Sequence, residues 1–532
     1  MLEGCTDWPD DFVRHYRQQG YWQGLPLGDL LREQARLTPD AEALVDATRR
    51  WRYAELDLHA DRLASSLATL GIAPGERVLV QLPNIAEFFS LLFALLRLGA
   101  VPVLALPAHR EHELRHLAQL SQAVAYVTVD EHLGFDYRPL ARTLRQQVPE
   151  LRHVLVVGNA EEFVALQACM TSPRPLPPVA SRDVAVLLLS GGTTGLPKLI
   201  PRTHDDYACN ARLAARACGF DAYTRYLAAL PVAHNFPLAS PGALGVFSVG
   251  GTLVLCPEPS PDTAFELIER ERITHTALIP PLVQLWLEVA QWSDNDLSSL
   301  QWLQVGGARL KAEIAARIRP VLGCGLQQVY GMAEGLLCFT PLEDPQARVF
   351  ETQGLPLTAD DEVRIVDADD QPVAPGAVGE LLVRGPYTIR GYYRAEEHNA
   401  RAFTADGFYR SGDLVRRLPE GHLIVEGRSK DVINRGGEKI PVEDIENLLL
   451  SHPQIRDVAL VALPDELLGE RSCACVLVRE PQPDLASLNA WLRERGLAAY
   501  KLPDRLQVFA QFPLTRLGKV NRKALAEHVA AL

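Results

Sequence analysis

Short apolar blocks alternate with longer stretches of helical spacing over most of the chain. Residues 77–82, 101–106 and 123–129 have the length and continuity of buried strands, and 86–98 and 109–120 between them carry the period of helices. Two amphipathic helices are expected earlier, over 27–37 and 53–70. The alternation resumes with helix 205–217, strand 225–230, helix 241–249, strand 252–256, helix 262–271, strand 274–279 and helix 281–292. Strands separated by helices of this length imply crossover units and a parallel sheet.

The pattern changes near residue 350. Glu362-Val-Arg-Ile-Val-Asp, Gly379-Glu-Leu-Leu-Val-Arg-Gly and His422-Leu-Ile-Val-Glu-Gly read as short alternating strands between turn signals such as Pro375-Gly376 and Asp406-Gly407. They predict a small, mostly antiparallel unit. From about 430 an α+β module follows: helix 441–451, strands 457–462 and 473–478, helix 485–495, strand 505–509 and helix 521–530. No repeat or low-complexity linker is visible. The fold class expected is α/β: parallel layers with a small antiparallel unit over 1–429, then a small α+β domain over 430–532.

At 532 residues the chain exceeds one core, and 47% hydrophobic with 22% charged residues is the balance of an ordinary globular protein. A net charge of −13 argues against nucleic acid and an anionic membrane as partners, while leaving room for a nucleotide in a locally basic pocket. No apolar run reaches membrane-span length, and the N-terminus lacks the basic and apolar regions of a signal peptide. Nine scattered cysteines without metal-type spacing fit reduced thiols in a cytoplasm; Cys473-Ala474-Cys475 lies in a strand-like run.

The chemistry centres on Ser190-Gly191-Gly192-Thr193-Thr194-Gly195-Leu196-Pro197-Lys198, delivered by the apolar run 184–189. Glycines allow close backbone approach, hydroxyls and backbone N–H groups suit phosphate oxygens, and the lysine adds charge. The spacing is not that of a Walker loop. Alone, such a run fits a plain loop as well as a polyphosphate cradle. Further along, His234-Asn235 follows a strand and would present an imidazole and an amide. Gly306-Gly307-Ala308-Arg309 would let a flat ring lie on backbone. Tyr330-Gly331-Met332-Ala333-Glu334 offers an aromatic face and a magnesium carboxylate. Tyr409-Arg410-Ser411-Gly412-Asp413 places an acid, after a tight turn, that would accept ribose hydroxyls. Arg428, Lys430, Gly437 and the turn Gly518-Lys519 complete the series.

In this order the motifs resemble the adenylate-forming superfamily of acyl-CoA synthetases, luciferases and peptide-synthetase adenylation domains, over essentially the full length. His234 to Leu238, Ser240-Pro241-Gly242, Gly331 to Gly335, Trp8-Pro9 and Tyr21-Trp22 make the chain similar, more closely, to stand-alone aryl acid–AMP ligases of siderophore assembly. The resemblance implies two half-reactions. A carboxylate attacks the α-phosphate of Mg-ATP, and the thiol of a phosphopantetheinylated aryl carrier protein then takes the acyl group from the adenylate.

It also implies roles. Ser190 to Lys198 would hold the β- and γ-phosphates, and Glu334 would bind Mg2+. Gly307, Ala308, Arg309, Val329, Tyr330 and Gly331 would line the adenosine site, with Asp413 and Arg428 at the ribose. Lys519, with His234, would serve catalysis, Lys519 bridging carboxylate and α-phosphate where transition-state charge gathers. Lys430 would be the hinge of a rotating C-terminal domain, and Gly437 would line the pantetheine channel.

For the acid, the resemblance points to Asn235, Phe236, Ser240, Gly306 and Leu337. Asn235 matches the residue that hydrogen-bonds a 2-hydroxyl. Ser240 favours 2,3-dihydroxybenzoate. Leu337, bulkier than the usual valine, and Phe236, without a tyrosine's hydroxyl, favour salicylate. Burying an unpaired 3-hydroxyl costs roughly 1–3 kcal/mol, so salicylate is the expected acid. An aryl-CoA ligase and a decayed nucleotide-binding protein are the competing readings; the second is disfavoured because Lys198, Glu334, Asp413 and Lys519 all stand in their motifs.

Overall fold

The computed structural model describes residues 2–190, 197–428, 432–513 and 520–532. It divides into two compact units. The first holds the described residues up to Pro107, from Leu117 to Ser190 and from Lys198 to Gly427; the second holds those from Arg428 onward with Ala108–His116 and Pro197.

The first unit is α/β. One sheet has nine strands in the order Leu355–Pro356, Gly335–Phe339, Gly325–Met332, Trp302–Val305, His275–Leu278, Arg225–Ala228, Thr252–Leu255, Glu42–Val45 and Arg50–Arg52. Its centre is parallel and its two ends antiparallel. A second sheet of seven runs Leu199–Thr203, Val184–Leu189, Val101–Leu104, Arg77–Val80, Ala125–Val129, His153–Val157 and Val164–Ala165. It is parallel apart from its first strand. The helix Ala86–Leu98 is buried at every position. A helix apolar on nearly all sides can be stable only inside a core. Trp286 and Phe265 meet edge to face at 5.1 Å in the core of the nine-stranded sheet.

The expected antiparallel unit is a four-stranded sheet of Glu362–Val366, Gly379–Arg384, Tyr409–Arg417 and Leu423–Arg428. The second unit contains a five-stranded sheet, Glu438–Pro441, Val432–Arg435, Gly469–Val478 and Ile455–Asp465 with Arg505–Val508 on Gly469–Val478. Ile445, Leu449, Leu488 and Leu492 from the helices Val442–Leu450 and Leu485–Glu494 pack in its core.

Several elements differ from the pattern reading. Strand Leu199–Thr203 precedes the helix His204–Ala217 and forms a hairpin with Val184–Leu189. Asn235, expected only to follow a strand, opens the short helix Asn235–Ala239. Asp413, expected after a tight turn, lies inside the strand Tyr409–Arg417. All nine cysteines are free, and Cys473 and Cys475 are buried in a strand. Among the described residues no helix is long and apolar enough to cross a membrane.

Candidate active site

The hairpin just described brings Ser190 to Lys198. The Ser190 N–H donates to the Lys198 carbonyl at 2.9 Å, and the Lys198 N–H donates to Ser190 Oγ at 3.0 Å. Gly191, Gly192, Thr193, Thr194 and Gly195 lie outside the described residues, as do Lys430 and Lys519. Gly437, at φ +95°, is in the two-residue turn joining Val432–Arg435 to Glu438–Pro441 in the second unit.

One group of expected residues comes together beyond the strand Arg225–Ala228. His234 caps the helix Asn235–Ala239, its Nδ1 accepting from the Phe236 N–H at 3.2 Å. That bond leaves the ring proton of neutral His234 on Nε2. Asn235 is 8% exposed and Ser240 2%. Asn235 Nδ2 donates to Ser240 Oγ at 3.3 Å. The Phe236 ring lies on the backbone of Gly306: a Cβ at Gly306 would stand 3.0 Å from Phe236 Cζ and from the Val329 carbonyl oxygen. The flat ring that the glycine admits is thus the protein's own. Leu337, 1% exposed, packs on Gly331, where a Cβ would come 2.4 Å from Leu337 Cδ2. The two residues face each other across an antiparallel pair of strands.

Behind this group stands a buried network that the motif reading missed. Arg202, on the edge strand, is fully buried and pairs with Asp206 at 2.7 Å. Its other donors reach Asn210 Oδ1 at 3.3 Å, the Tyr387 carbonyl at 3.1 Å and the Ala333 carbonyl at 2.9 Å. Asp206 also closes a capping box with Thr203. The only trace in the sequence is the spacing of Asp206 and Asn210, four residues apart on one face of the helix His204–Ala217, with Arg202 on the strand before it. Such a pair reads as solvated until its burial is known.

A second group forms around the strand Gly325–Met332. The Tyr330 hydroxyl donates to Asp413 Oδ2 at 2.7 Å, and the Asp413 N–H donates to Ser411 Oγ at 3.0 Å. Asp413 is 4% exposed. Gly307, at φ +83°, begins the turn leading to Ala308 and Arg309. The Arg309 guanidinium donates to the Val425 carbonyl at 3.2 Å and pairs with Glu426. Glu334, 8% exposed, accepts from the Tyr392 hydroxyl at 2.8 Å, and that hydroxyl also meets the Tyr409 hydroxyl at 2.8 Å. Burial and the nearby Glu334 carboxylate push Tyr392 well above a phenol's usual pKa, so it stays a donor.

Glu334 bears on magnesium directly. One of its carboxylate oxygens is fixed by Tyr392, and the other takes no hydrogen bond from the described residues. Among the described residues no three His, Cys, Asp or Glu side chains gather as a metal cage. A single oriented carboxylate fits a magnesium ion that takes its remaining oxygens from phosphates and water.

Strands that bring Ser190 to Lys198, a carboxylate held by Tyr392 after a strand and a second carboxylate held by Tyr330 suit an enzyme that handles a nucleoside triphosphate. The chain belongs to the AMP-binding enzyme family: the family model matches residues 31–393, and the AMP-binding enzyme C-terminal domain matches 444–519. It is 54% identical over 530 residues, 100% of this chain and 98% of the relative, to the 2,3-dihydroxybenzoate-AMP ligase of Bacillus subtilis. It is 51% identical over 536 residues (99% and 95%) to the salicyl-AMP ligase / salicyl-S-ArCP synthetase of Mycobacterium tuberculosis. Among solved structures it is similar to apo MbtA of Mycobacterium smegmatis, with TM-score 0.77, 51% identity and 98% of each chain covered. It is also similar to the amide bond synthetase McbA of Marinactinospora thermotolerans, with TM-score 0.85, 27% identity, and 95% and 99% covered.

Proposed function

We propose that this enzyme activates a 2-hydroxyaryl acid, salicylate ahead of 2,3-dihydroxybenzoate, with Mg-ATP and passes the acyl group to the phosphopantetheine thiol of an aryl carrier protein. It would act in siderophore or related non-ribosomal peptide synthesis in the cytoplasm. The observation that carries the reading is the buried Asn235–Ser240 pair beside Phe236, where a small ring with an ortho acceptor would be matched. Relatives named for both acids at about half identity support the class of substrate.

In the first half-reaction the carboxylate oxygen attacks the α-phosphate and pyrophosphate leaves. Ser190 to Lys198 hold the departing phosphates and Asp413 holds the ribose. Lys519 stands between carboxylate and α-phosphate, contributing charge where it develops. Magnesium held by Glu334 and the phosphates would offset phosphate charge. In the second half-reaction the thiol attacks the acyl carbonyl and AMP leaves. The C-terminal domain turns about Lys430 and brings Gly437 to the pantetheine arm. The turn explains how Lys519 serves one step without obstructing the other.

Leu337 supports salicylate, because its packing on Gly331 gives it little freedom to retreat from a 3-hydroxyl. The test is acid-dependent ATP–pyrophosphate exchange. Leu337→Val is expected to raise kcat/KM for 2,3-dihydroxybenzoate relative to salicylate about three- to tenfold; an unchanged ratio would remove Leu337 from the acid site. An aryl-CoA ligase is the second reading, favoured by a Streptomyces relative, 49% identical, named salicylyl-CoA synthase / salicylate adenylyltransferase. Thioester formation faster with coenzyme A than with a carrier protein would decide for it.

A further inference from the structure

We propose that Tyr207 is a positioning residue that turns the Asn235 amide so that the acid meets only donors, and that the site therefore takes 2-hydroxybenzoates and rejects 2-aminobenzoate; this rests on the aryl-acid reading above. Orientation starts at Arg202, which has donors and no acceptor. Its Nη2 on Asn210 Oδ1, at 3.3 Å, aims the Asn210 NH2 group at the Ala239 carbonyl (2.7 Å) and at Ser240 Oγ (3.4 Å). The Tyr207 hydroxyl donates to Asn235 Oδ1 at 2.8 Å. Tyr207 is buried with the Arg202 guanidinium 4.8 Å from its ring centroid, which holds the ring in place. With Oδ1 engaged, Asn235 Nδ2 gives one hydrogen to Ser240 Oγ at 3.3 Å.

Ser240 Oγ therefore accepts twice, and both its lone pairs are taken. Its own hydrogen, and the second amide hydrogen of Asn235, find no acceptor among the described residues. Buried donors without partners are rare in native folds and costly, so a ligand acceptor belongs there. In a 2-hydroxybenzoate the phenol hydrogen bonds the molecule's own carboxylate, and the phenol lone pairs face outward. In 2-aminobenzoate one N–H does the same, the second N–H faces the donors, and the nitrogen lone pair is delocalised into the ring. Donor then meets donor.

The experiment is pyrophosphate exchange with salicylate, 2-aminobenzoate and benzoate in the wild type and in Tyr207→Phe. The wild type is expected to prefer salicylate to 2-aminobenzoate by about a hundredfold. Tyr207→Phe frees the amide to turn over and present its oxygen, and should narrow that preference at least tenfold. The change should come through a higher KM for salicylate, with the benzoate kcat/KM and the ATP KM unchanged. A merely structural role would lower all three acids alike. A salicylate to 2-aminobenzoate ratio that Tyr207→Phe leaves unchanged, where the wild type prefers salicylate to benzoate, overturns the role of Tyr207 alone; a wild type with no preference for salicylate over benzoate overturns the 2-hydroxyaryl-acid reading beneath it. Asn235→Asp, which puts acceptors where the donors were, should invert the order of the two substituted acids even if Tyr207→Phe does not fold; failure to do so contradicts the donor wall.

Discussion

Around Asn235 and Ser240 the polar groups are neutral, and a buried ion pair sets their directions from behind. Around Glu334 and Asp413 they are carboxylates, and tyrosine hydroxyls hold them from the side. The first arrangement suits recognition by matching donors to acceptors, because an unmatched neutral group in a dry pocket is penalised without any charge on the ligand. The second suits a cation and a ribose, whose recognition needs anionic oxygens at fixed points. The two are joined: Arg202 orients Asn210 and also donates to the Ala333 carbonyl, next to Glu334. One guanidinium thus supports both halves, while the donors and acceptors offered to ligand differ.

The largest effect expected is from Lys519→Ala. Adenylation should fall about a hundredfold to a thousandfold, the scale of losing one preorganised group that stabilises transition-state charge. Transfer from a preformed adenylate should stay within a few-fold. Equal loss in both half-reactions would sink the domain rotation.

Asp361 probes the footing of the neutral side. It accepts from the Tyr387 hydroxyl at 2.6 Å, and the Tyr387 carbonyl accepts from Arg202. Burial pushes its carboxyl up to about 7, and Oδ1 has no partner. The native state then holds a proton that the unfolded chain releases near pH 4. Stability should fall as pH rises from about 4 to 7 and level off above, by up to a few kcal/mol. Asp361→Asn should flatten that fall in urea unfolding at pH 4.5 and 7.5. An unaltered pH profile would mean that Asp361 is not the group responsible.

A smaller change is expected on the carboxylate side. Tyr330→Phe removes one donor from Asp413, about 1 kcal/mol, so the ATP KM should rise about fivefold while the acid KM holds. If both KM values rose together, the contrast between the two sides would be lost.

Much of this was legible in the chain. The apolar helix Ala86–Leu98 and the alternation to either side of it needed only periodicity. The strand Leu199–Thr203 was hidden because Pro201 interrupts its run. A proline is tolerated there since the strand is at the edge of its sheet. The helix Asp10–Gln18 was hidden by its composition, since it buries only Val13 and Tyr16. Asn235, Phe236, Glu334 and Asp413 could be singled out from their motifs, because their residue types suit the ligand chemistry expected of them. Arg202, Tyr207 and Asn210 were not, since a residue that acts by orienting another carries no motif, only a position that folding reveals.

The measurement that tests the account most directly is ATP–pyrophosphate exchange driven by salicylate, 2,3-dihydroxybenzoate, benzoate and a medium-chain fatty acid, compared as kcat/KM. The two 2-hydroxyaryl acids are expected to lead, salicylate first, with benzoate behind them. Exchange led by the fatty acid, or by benzoate equally with salicylate, would contradict that expectation.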